Sequence, residues 1–255
     1  MRWRLLLSPP QGGPDNMALD EALMQRARSS GETVLRVYGW SSPVLSLGRN
    51  QRAVGVYDEG AVVERGVGVV RRPTGGRALL HHREVTYSVT APAGDQELGA
   101  AYARINQLLL TALATLGVPA SLANPATKAS PPTALPCFAE PSRGEVIVGG
   151  RKLAGSAQWR DAGAMLQHGS IIVADDQSLI RELMREPGPP SPSPATLSDA
   201  LGRVPSLDEV ATALFAAVRD VEDDAATPLL PGELAELPLS ELAQRYRDDT
   251  WTWRR

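Results

Sequence analysis

The chain has 255 residues, 43% hydrophobic and 22% charged, with a net charge of −3. That is ample for one large domain, or a domain with a small appendage, and it argues against a global basic field that would hold nucleic acid. No apolar run is long enough to cross a bilayer, the leading MRWRLLLSPPQGG is too short in apolar residues for a signal peptide, and one cysteine excludes an internal disulfide framework.

Cytoplasm is therefore the expected compartment. No Cys/His spacing of zinc type occurs, so no metal is expected. The single Cys137 has two readings from composition: a small buried hydrophobe or a reactive thiol.

In chain order, Trp3–Leu7 reads as a strand and Pro9–Pro14 as a loop. Asp15 is an N-cap candidate for a helix to about Arg28, with Leu19, Ala22 and Leu23 as its apolar stripe. Asn16 and Asp20 share another face at i, i+4; they are read as a solvated pair, with a site-facing pair as the alternative. Val34–Tyr38 and Val44–Leu47 read as strands. Asp58–Arg65 is a short helix closed by Gly66. Val67–Arg72 is a strand, broken by Pro73-Thr74-Gly75-Gly76. Arg77–His81 and Glu84–Thr90 are further strands around a His81-His82-Arg83 corner.

Gly99–Leu116 is the clearest helix. Ile105, Leu108, Leu109, Ala112, Leu113 and Leu116 recur at helical spacing before Gly117 and Pro119. Ala120–Glu140 has no period, and a loop of that length in a compact domain is often functional. Glu145–Val148, Lys152–Ala157 and Ala164–Val173 then read as a meander, turned at Gly149-Gly150 and Asp161–Gly163. Asp176 is expected to cap a short helix to about Arg185. Pro187–Pro194 is a connector. Ser206-x-x-Glu209 forms a capping box for a helix burying Leu207, Val210, Leu214, Ala217 and Val221. A last helix, about Leu239–Arg247, precedes a Trp251/Trp253 tail. Strands and helices mix without strict alternation, which predicts an α+β fold with a largely antiparallel or mixed sheet.

Three constellations carry chemistry. In Arg71-Arg72-Pro73-Thr74-Gly75-Gly76-Arg77, a glycine pair can turn backbone N–H groups toward an anion or carbonyl oxygen. Three arginines supply charge. A plain turn is the competing reading. His81 and His82 point to opposite faces of a strand, which does not suit one shared metal, and a turn histidine is favoured. His168, in a Gln167-His168-Gly169-Ser170 run, needs polar partners; hydrogen bonding and a site role stand equal. Finally, Lys152 is one of only two lysines among 26 basic residues. It heads a floor of small residues, Ala154, Gly155, Ser156 and Ala157, where a ligand can approach closely. It reads either as a surface cation or as an ammonium aimed at a carbonyl, phosphate or thiolate.

Four blocks in order carry a family pattern: Asn16–Leu23 (NMALDEAL), Leu35–Gln51 (LRVYGWSSPVLSLGRNQ), Arg71–Val89 (RRPTGGRALLHHREVTYSV) and Gly150–Ile171 (GRKLAGSAQWRDAGAMLQHGSI). Together they resemble the lipoate–protein ligase A/octanoyltransferase family over roughly Trp3–Leu201. The resemblance implies a biotin/lipoate-protein-ligase-type α+β catalytic domain over residues 1–201, its mixed, mostly antiparallel sheet flanked by helices. Residues 202–255 would be a helical extension packed on it. The Arg-Arg…Gly-Gly loop and the Gly-Arg-Lys strand would line a tunnel for a medium-length acyl chain.

Two departures from the ATP-dependent ligases point to the acyltransferase side: Arg77 stands where they carry a third Gly, and too few residues follow the connector for their extra domain. Cys137, in a Pro-Cys-Phe context, matches the nucleophile of the Bacillus-type octanoyltransferases. The resemblance thus implies octanoyl transfer from acyl-carrier protein to a lysine of lipoyl-carrier domains, such as glycine cleavage H protein and E2 subunits, in lipoate biosynthesis. Cys137 and Lys152 would be catalytic. Arg72, Thr74, Gly75, Gly76, Arg77, His81, Gly155, Ser156, Ala157, His168 and Gly169 would bind substrate. No cofactor is expected; ATP and Mg²⁺ belong to the alternative, an ATP-dependent lipoate–protein ligase. A second alternative is an amidotransferase moving octanoyl between carrier domains. A monomer is expected, with Arg49, Arg72, Arg77 and Arg143 as a local basic patch for acidic partners.

Overall fold

The computed structural model describes residues 2–94, 98–124 and 141–255. The first half runs β1 (Trp3–Leu7), α1 (Gly13–Ser30), β2 (Thr33–Tyr38), β3 (Val44–Leu47), α2 (Glu59–Glu64), β4 (Gly68–Arg71), β5 (Leu79–His81), β6 (Glu84–Pro92) and α3 (Leu98–Thr115). The second half adds β7 (Ser121–Leu122), β8 (Val146–Val148), β9 (Arg151–Asp161), β10 (Ala164–Ile172), α4 (Leu179–Glu182), α5 (Leu197–Leu201) and α6 (Leu207–Val221). It closes with β11 (Thr227–Pro228), α7 (Pro231–Leu234), α8 (Leu239–Arg247) and α9 (Asp249–Thr252).

The larger sheet has the order β11-β1-β2-β6-β10-β9-β8-β7, and a smaller one the order β4-β3-β5. β1 pairs in parallel with β2 and β11, and β3 with β4; the remaining pairs are antiparallel. This is the α+β architecture with a mixed, mostly antiparallel sheet that the element pattern predicts.

Strand alternation divides the large sheet into two unlike faces. Val85, Tyr87 and Val89 of β6 and Leu35 and Val37 of β2 join Ile105, Leu108 and Leu109 of α3 and Val210 and Leu214 of α6 in the main apolar core. The opposite face, where Arg36 pairs with Ser88 and Ser88 with His168, is polar and lies under α1. Two helices on one side bury the grease; one helix on the other seals a polar layer.

Several boundaries differ from expectation for identifiable reasons. α1 starts at Gly13, two residues before Asp15, because Pro14 fits the first turn, where its missing N–H costs nothing. Asp176 does not cap α4; Ser178 holds that place, and the Asp176 carboxylate accepts from the Arg83 N–H instead. Ser206 does cap α6, accepting from the Glu209 N–H at 3.1 Å, but the Glu209 carboxylate pairs with Arg203 rather than reaching back. Val221, expected inside, is 50% exposed at the end of that helix. Ser121–Leu122 forms a short edge strand on β8, within the stretch read as structureless. Residues 125–140 of that stretch lie outside the described residues.

The C-terminal elements are tied to the rest through named contacts. On α8, Tyr246 donates to the buried Glu21 of α1 at 2.5 Å. The Trp251 indole donates to the Arg71 carbonyl (2.8 Å), and the Arg71 Nε donates to the Thr252 carbonyl (2.8 Å). The tryptophan tail thus backs the arginine pair at the end of β4. No helix among the described residues is long and apolar enough to cross a membrane.

Gly48 is required by close approach. A Cβ on Gly48 would lie 2.0 Å from the Gly76 carbonyl oxygen, because the Gly48–Gln51 turn is clasped to the Thr74–Gly76 loop through Arg49 N–H to Thr74 O (2.8 Å). Gly48→Ala is expected to lower stability by about 1–3 kcal/mol, as overpacking does. Urea unfolding would read the change. Gly99→Ala, on α3 with nothing within 4 Å, is the control and is expected to be neutral or stabilising.

Candidate active site

A cavity of about 320 Å³ lies at β9 and β10, where the two sheets and α1 and α3 meet. β9 contributes Lys152, Gly155, Ser156 and Ala157; β10 contributes His168, Gly169 and Ser170. The small sheet and its loop add Arg72, Gly76, Arg77, Leu79 and His81, with Met17, Tyr38, Thr86, Tyr102, Ser142 and Glu145 completing the wall. The register places Gly155 beside Ser170, Ser156 beside Gly169 and Ala157 beside His168. Small residues on neighbouring strands leave the space open. A Cβ on Gly169 would meet the Gly155 carbonyl at 2.6 Å and the Tyr87 ring at 2.8 Å, so this position admits no side chain.

Lys152 is not a surface cation. It is 3% exposed, and its Nζ donates to Glu145 Oε1 at 2.8 Å. The other Glu145 oxygen accepts from the Ser142 N–H at 2.6 Å. Burial of an ammonium in water-poor surroundings requires such a partner. Glu145 has no motif around it that marks this role. The pair forms because the β8–β9 turn at Gly149-Gly150, both with positive φ, folds Glu145 back against Lys152.

In the arginine–glycine loop, Arg71 and Arg72 both turn their guanidiniums to backbone carbonyls, and Arg72 also lines the cavity. Arg71 is fully buried and donates to the carbonyls of Gly48 (2.7 Å), Gln51 (2.7 Å) and Thr252 (2.8 Å). Arg72, 5% exposed, donates to the carbonyls of Ser46 (2.9 Å), Gly75 (2.8 Å) and Arg77 (2.8 Å). These guanidiniums shape the loop by filling its backbone acceptors, and Arg72 is no part of a surface basic patch. Arg49 and Arg77 are half-buried and Arg143 is exposed. Gly76 needs its φ of +97° to close the loop.

Asn16 and Asp20, read as a solvated pair, are both fully buried. Asp20 accepts from Arg36 (2.8 Å), Tyr38 (2.9 Å), Ser88 (2.7 Å) and His168 (3.1 Å). Burial opposes ionisation of Asp20, but Arg36, His168 and Ser88 outweigh it and bring the carboxyl down to about 2. Burial also lowers the His168 imidazole below its ordinary 6.5, with Asp20 only partly offsetting it. A carboxylate can only accept, so Nδ1 of His168 carries the proton and Nε2 accepts from the Thr74 hydroxyl at 2.7 Å. A buried chain thus runs Arg36, Asp20, His168, Thr74, and it anchors the Thr-Gly-Gly loop to β10. Both ring nitrogens of His168 are engaged within it.

His81 is a buried strand residue, not a turn histidine. Its ring stacks on Trp40 at 3.9 Å, and Nδ1 lies 2.7 Å from Glu84 Oε1. His82 turns the other way, half exposed, toward Asp176. The two histidines do point apart, but His82 lies in the bend after β5 rather than on the strand. Among the described residues no group of three His, Cys, Asp or Glu side chains converges as a metal site. Gly75 places its carbonyl on Arg72. Cys137 lies outside the described residues.

The family model for the lipoyl protein ligase A/B catalytic domain matches residues 13–219. The protein named octanoyltransferase LipM from Symbiobacterium thermophilum is 40% identical over 278 residues, covering 99% of this chain and 98% of that protein. Its namesake from Kyrpidia tusciae is 38% identical, covering 99% of each. Among solved structures, a lipoate-protein ligase A bound with ATP superposes with a TM-score of 0.80 at 22% identity over 99% of both chains, which speaks to the fold. With the match to the family model spanning the cavity-forming elements and the curated relatives matching from end to end, the chain belongs to the lipoyl protein ligase A/B catalytic domain family.

Proposed function

We propose that this protein is an octanoyltransferase that works through a cysteine thioester. The Cys137 thiolate attacks the carbonyl of an octanoyl thioester on acyl-carrier protein. The bond to the carrier sulfur breaks, the carrier leaves as its thiolate, and octanoyl remains on the Cys137 sulfur. A lysine amine of a lipoyl-carrier domain then attacks that thioester, the C–S bond breaks, and an amide and the free thiol result. The first exchange trades thioester for thioester and is near neutral. The second trades thioester for amide and runs downhill, so no nucleotide is required. Splitting the transfer in two suits a thiol nucleophile.

The observation that carries this reading is the end-to-end likeness, at 40% identity, to a protein named octanoyltransferase. The cavity supports it. Its volume of about 320 Å³ falls at the small end of ligand pockets, as fits a medium-length chain. The buried Lys152 ammonium would stabilise a thiolate or the oxyanion that develops at the carbonyl. Selection of chain length by such a pocket is worth about 1–3 kcal/mol per methylene.

The test is intact mass after incubation with octanoyl-acyl carrier protein and no nucleotide. An octanoyl adduct that hydroxylamine removes, present on the parent and absent on Cys137→Ala, is expected. No adduct, together with activity that requires ATP, would make the protein a ligase instead.

A further inference from the structure

We propose that the arginine cluster built from Arg49, Arg52, Arg254 and Arg255 is the docking surface for the acceptor lipoyl-carrier domain, and that it holds a carboxylate-rich face of that domain beside the cavity. The identity of the acceptor rests on the octanoyltransferase reading above; the surface itself rests on geometry. Residues 251–255 lie beyond the 13–219 stretch that the family model matches, so the part the tail plays here is not carried by that match.

The tail is pinned to the turn that follows β3. The Arg255 carbonyl accepts from the N–H groups of Ala53 (2.7 Å) and Val54 (2.8 Å), and Arg254 Nη2 donates to the Arg49 carbonyl at 2.6 Å. Arg52, Arg254 and Arg255 are exposed. Beneath them lies the fully buried Arg71, whose Nη2 has no hydrogen-bond partner among the described residues. Burial and the charges of Arg254, Arg255 and Arg72 bring the Arg71 guanidinium down to about 10. Burial, Arg49 and Arg255 likewise lower Arg254. Among the described residues none of Arg49, Arg52, Arg71, Arg254 and Arg255 forms an ion pair. Exposed arginines elsewhere do, Arg65 with Glu182, Arg203 with Glu209 and Arg247 with Asp15. In a chain with 29 acidic against 26 basic residues, composition does not produce such a carboxylate-free group. Like charges held together are costly in the free protein, and an acidic partner relieves that cost.

The cluster adjoins the rim of the cavity. The Arg49 N–H bonds the Thr74 carbonyl at 2.8 Å, in the loop whose Gly76 and Arg77 line the cavity. The Arg49 guanidinium lies over the Trp159 ring at 5.3 Å, and Arg254 over Trp251 at 4.0 Å. Trp159 shares a face of β9 with Ala157, which also lines the cavity. Arginine and tryptophan are the side chains that most often anchor protein interfaces, and a planar guanidinium binds a carboxylate by two parallel hydrogen bonds. Position favours the acceptor over the donor. A lysine reaches only as far as its own side chain, so the domain that bears it must sit against the rim. An acyl group on a carrier thiol is presented on a long flexible arm and makes no such demand.

The experiment measures association of the full, uncharged protein with an apo lipoyl domain of an E2 subunit and, separately, with holo-acyl carrier protein, each at low and high salt. For the double variant Arg52→Glu, Arg254→Glu, association with the lipoyl domain is expected to slow on the order of 10-fold at low salt. The deficit should shrink as salt screens the charges, and binding of acyl carrier protein should stay close to the parent. In the transfer assay the same variant is expected to raise KM for the lipoyl domain and leave kcat near the parent. Arg52→Glu alone leaves the bond from Arg254 to Arg49 intact and is expected to show the same effect in smaller measure, so it carries the test if the double variant does not fold. Arg219→Glu, exposed on α6 across the large sheet from α1, is the control and should bind like the parent. Unchanged association with the lipoyl domain, or an equal loss in Arg219→Glu, overturns the proposal. A loss that is equal for the two carriers, or confined to acyl carrier protein, overturns it as well, as does a parent that does not bind the lipoyl domain. A parent that binds the lipoyl domain through these arginines yet forms no acyl-enzyme would remove the thioester reading and leave the docking surface standing.

Discussion

The Lys152→Met protein is expected to lose octanoyl transfer by on the order of 10²–10³-fold, the range seen when one preorganised donor to a developing oxyanion is removed. Methionine keeps the length and apolar stem of the side chain and deletes the ammonium. Two consequences follow from the buried pair with Glu145 at 2.8 Å. The site loses its positive charge beside the small-residue floor of β9. Glu145, 7% exposed, also loses that counter-ion and keeps the Ser142 N–H. Breaking a buried pair by removing one partner costs about 3–5 kcal/mol. Urea unfolding reads this second effect and the transfer assay reads the first. The double change Lys152→Met with Glu145→Gln separates them, restoring most of the stability and none of the activity. Lys152→Arg is expected to remain strongly impaired, because a planar fork cannot occupy the volume of a compact ammonium. Near-parent activity in Lys152→Met would show that the ammonium has no part in the chemistry.

Asp20→Ala is the second large effect and falls on stability. Asp20 is the common acceptor for Arg36, Tyr38, Ser88 and His168, all buried. Its removal leaves a fully buried guanidinium without its carboxylate, a loss of about 3–5 kcal/mol and on the order of 10 °C in the melting temperature. The pH dependence follows from the same network. His168 titrates below 6.5 when folded and near 6.5 when unfolded, so below that pH the unfolded chain binds more protons. Stability is therefore fully present above about pH 6.5 and declines as pH falls toward the folded value. Asp20 acts in the same direction further down. Its folded value of about 2 lies under the ordinary 3.8, so its contribution is present above about 3.8 and is lost as pH falls to about 2. Unfolding midpoints between pH 8 and pH 4.5 test the upper window. The expected decline in the parent should flatten in His168→Gln, and an unchanged slope would refute the assignment.

Much of the fold was legible because it is written in local pattern. Short apolar runs bounded by turn residues located β1, β2, β3 and the β8–β9–β10 meander to within a few residues. The 3.6 period from Ile105 to Leu116 located α3, since one apolar face on a helix requires that spacing. Short elements such as α5, α7, β7 and β11 were not legible, because two to five residues carry no period and are stabilised by the neighbours they meet. The family blocks brought Lys152, the Thr-Gly-Gly loop, His81 and His168 into view as one group, and the cavity is lined by or backed by each of them.

What the residues determined by themselves was the class of fold and the inventory of polar groups set among apolar strands, since hydrophobic spacing and turn chemistry act over a few positions. Which polar group meets which was decided by tertiary structure alone. Asp20 reaches His168 across 148 positions, Thr74 reaches it across 94, and Arg71 and Arg72 turn inward to carbonyls because the Gly48 and Gly76 segments lie against each other. Burial makes each of those groups find a partner, but the partner is chosen by how α1 and the small sheet settle on the large one, and no local rule contains that choice.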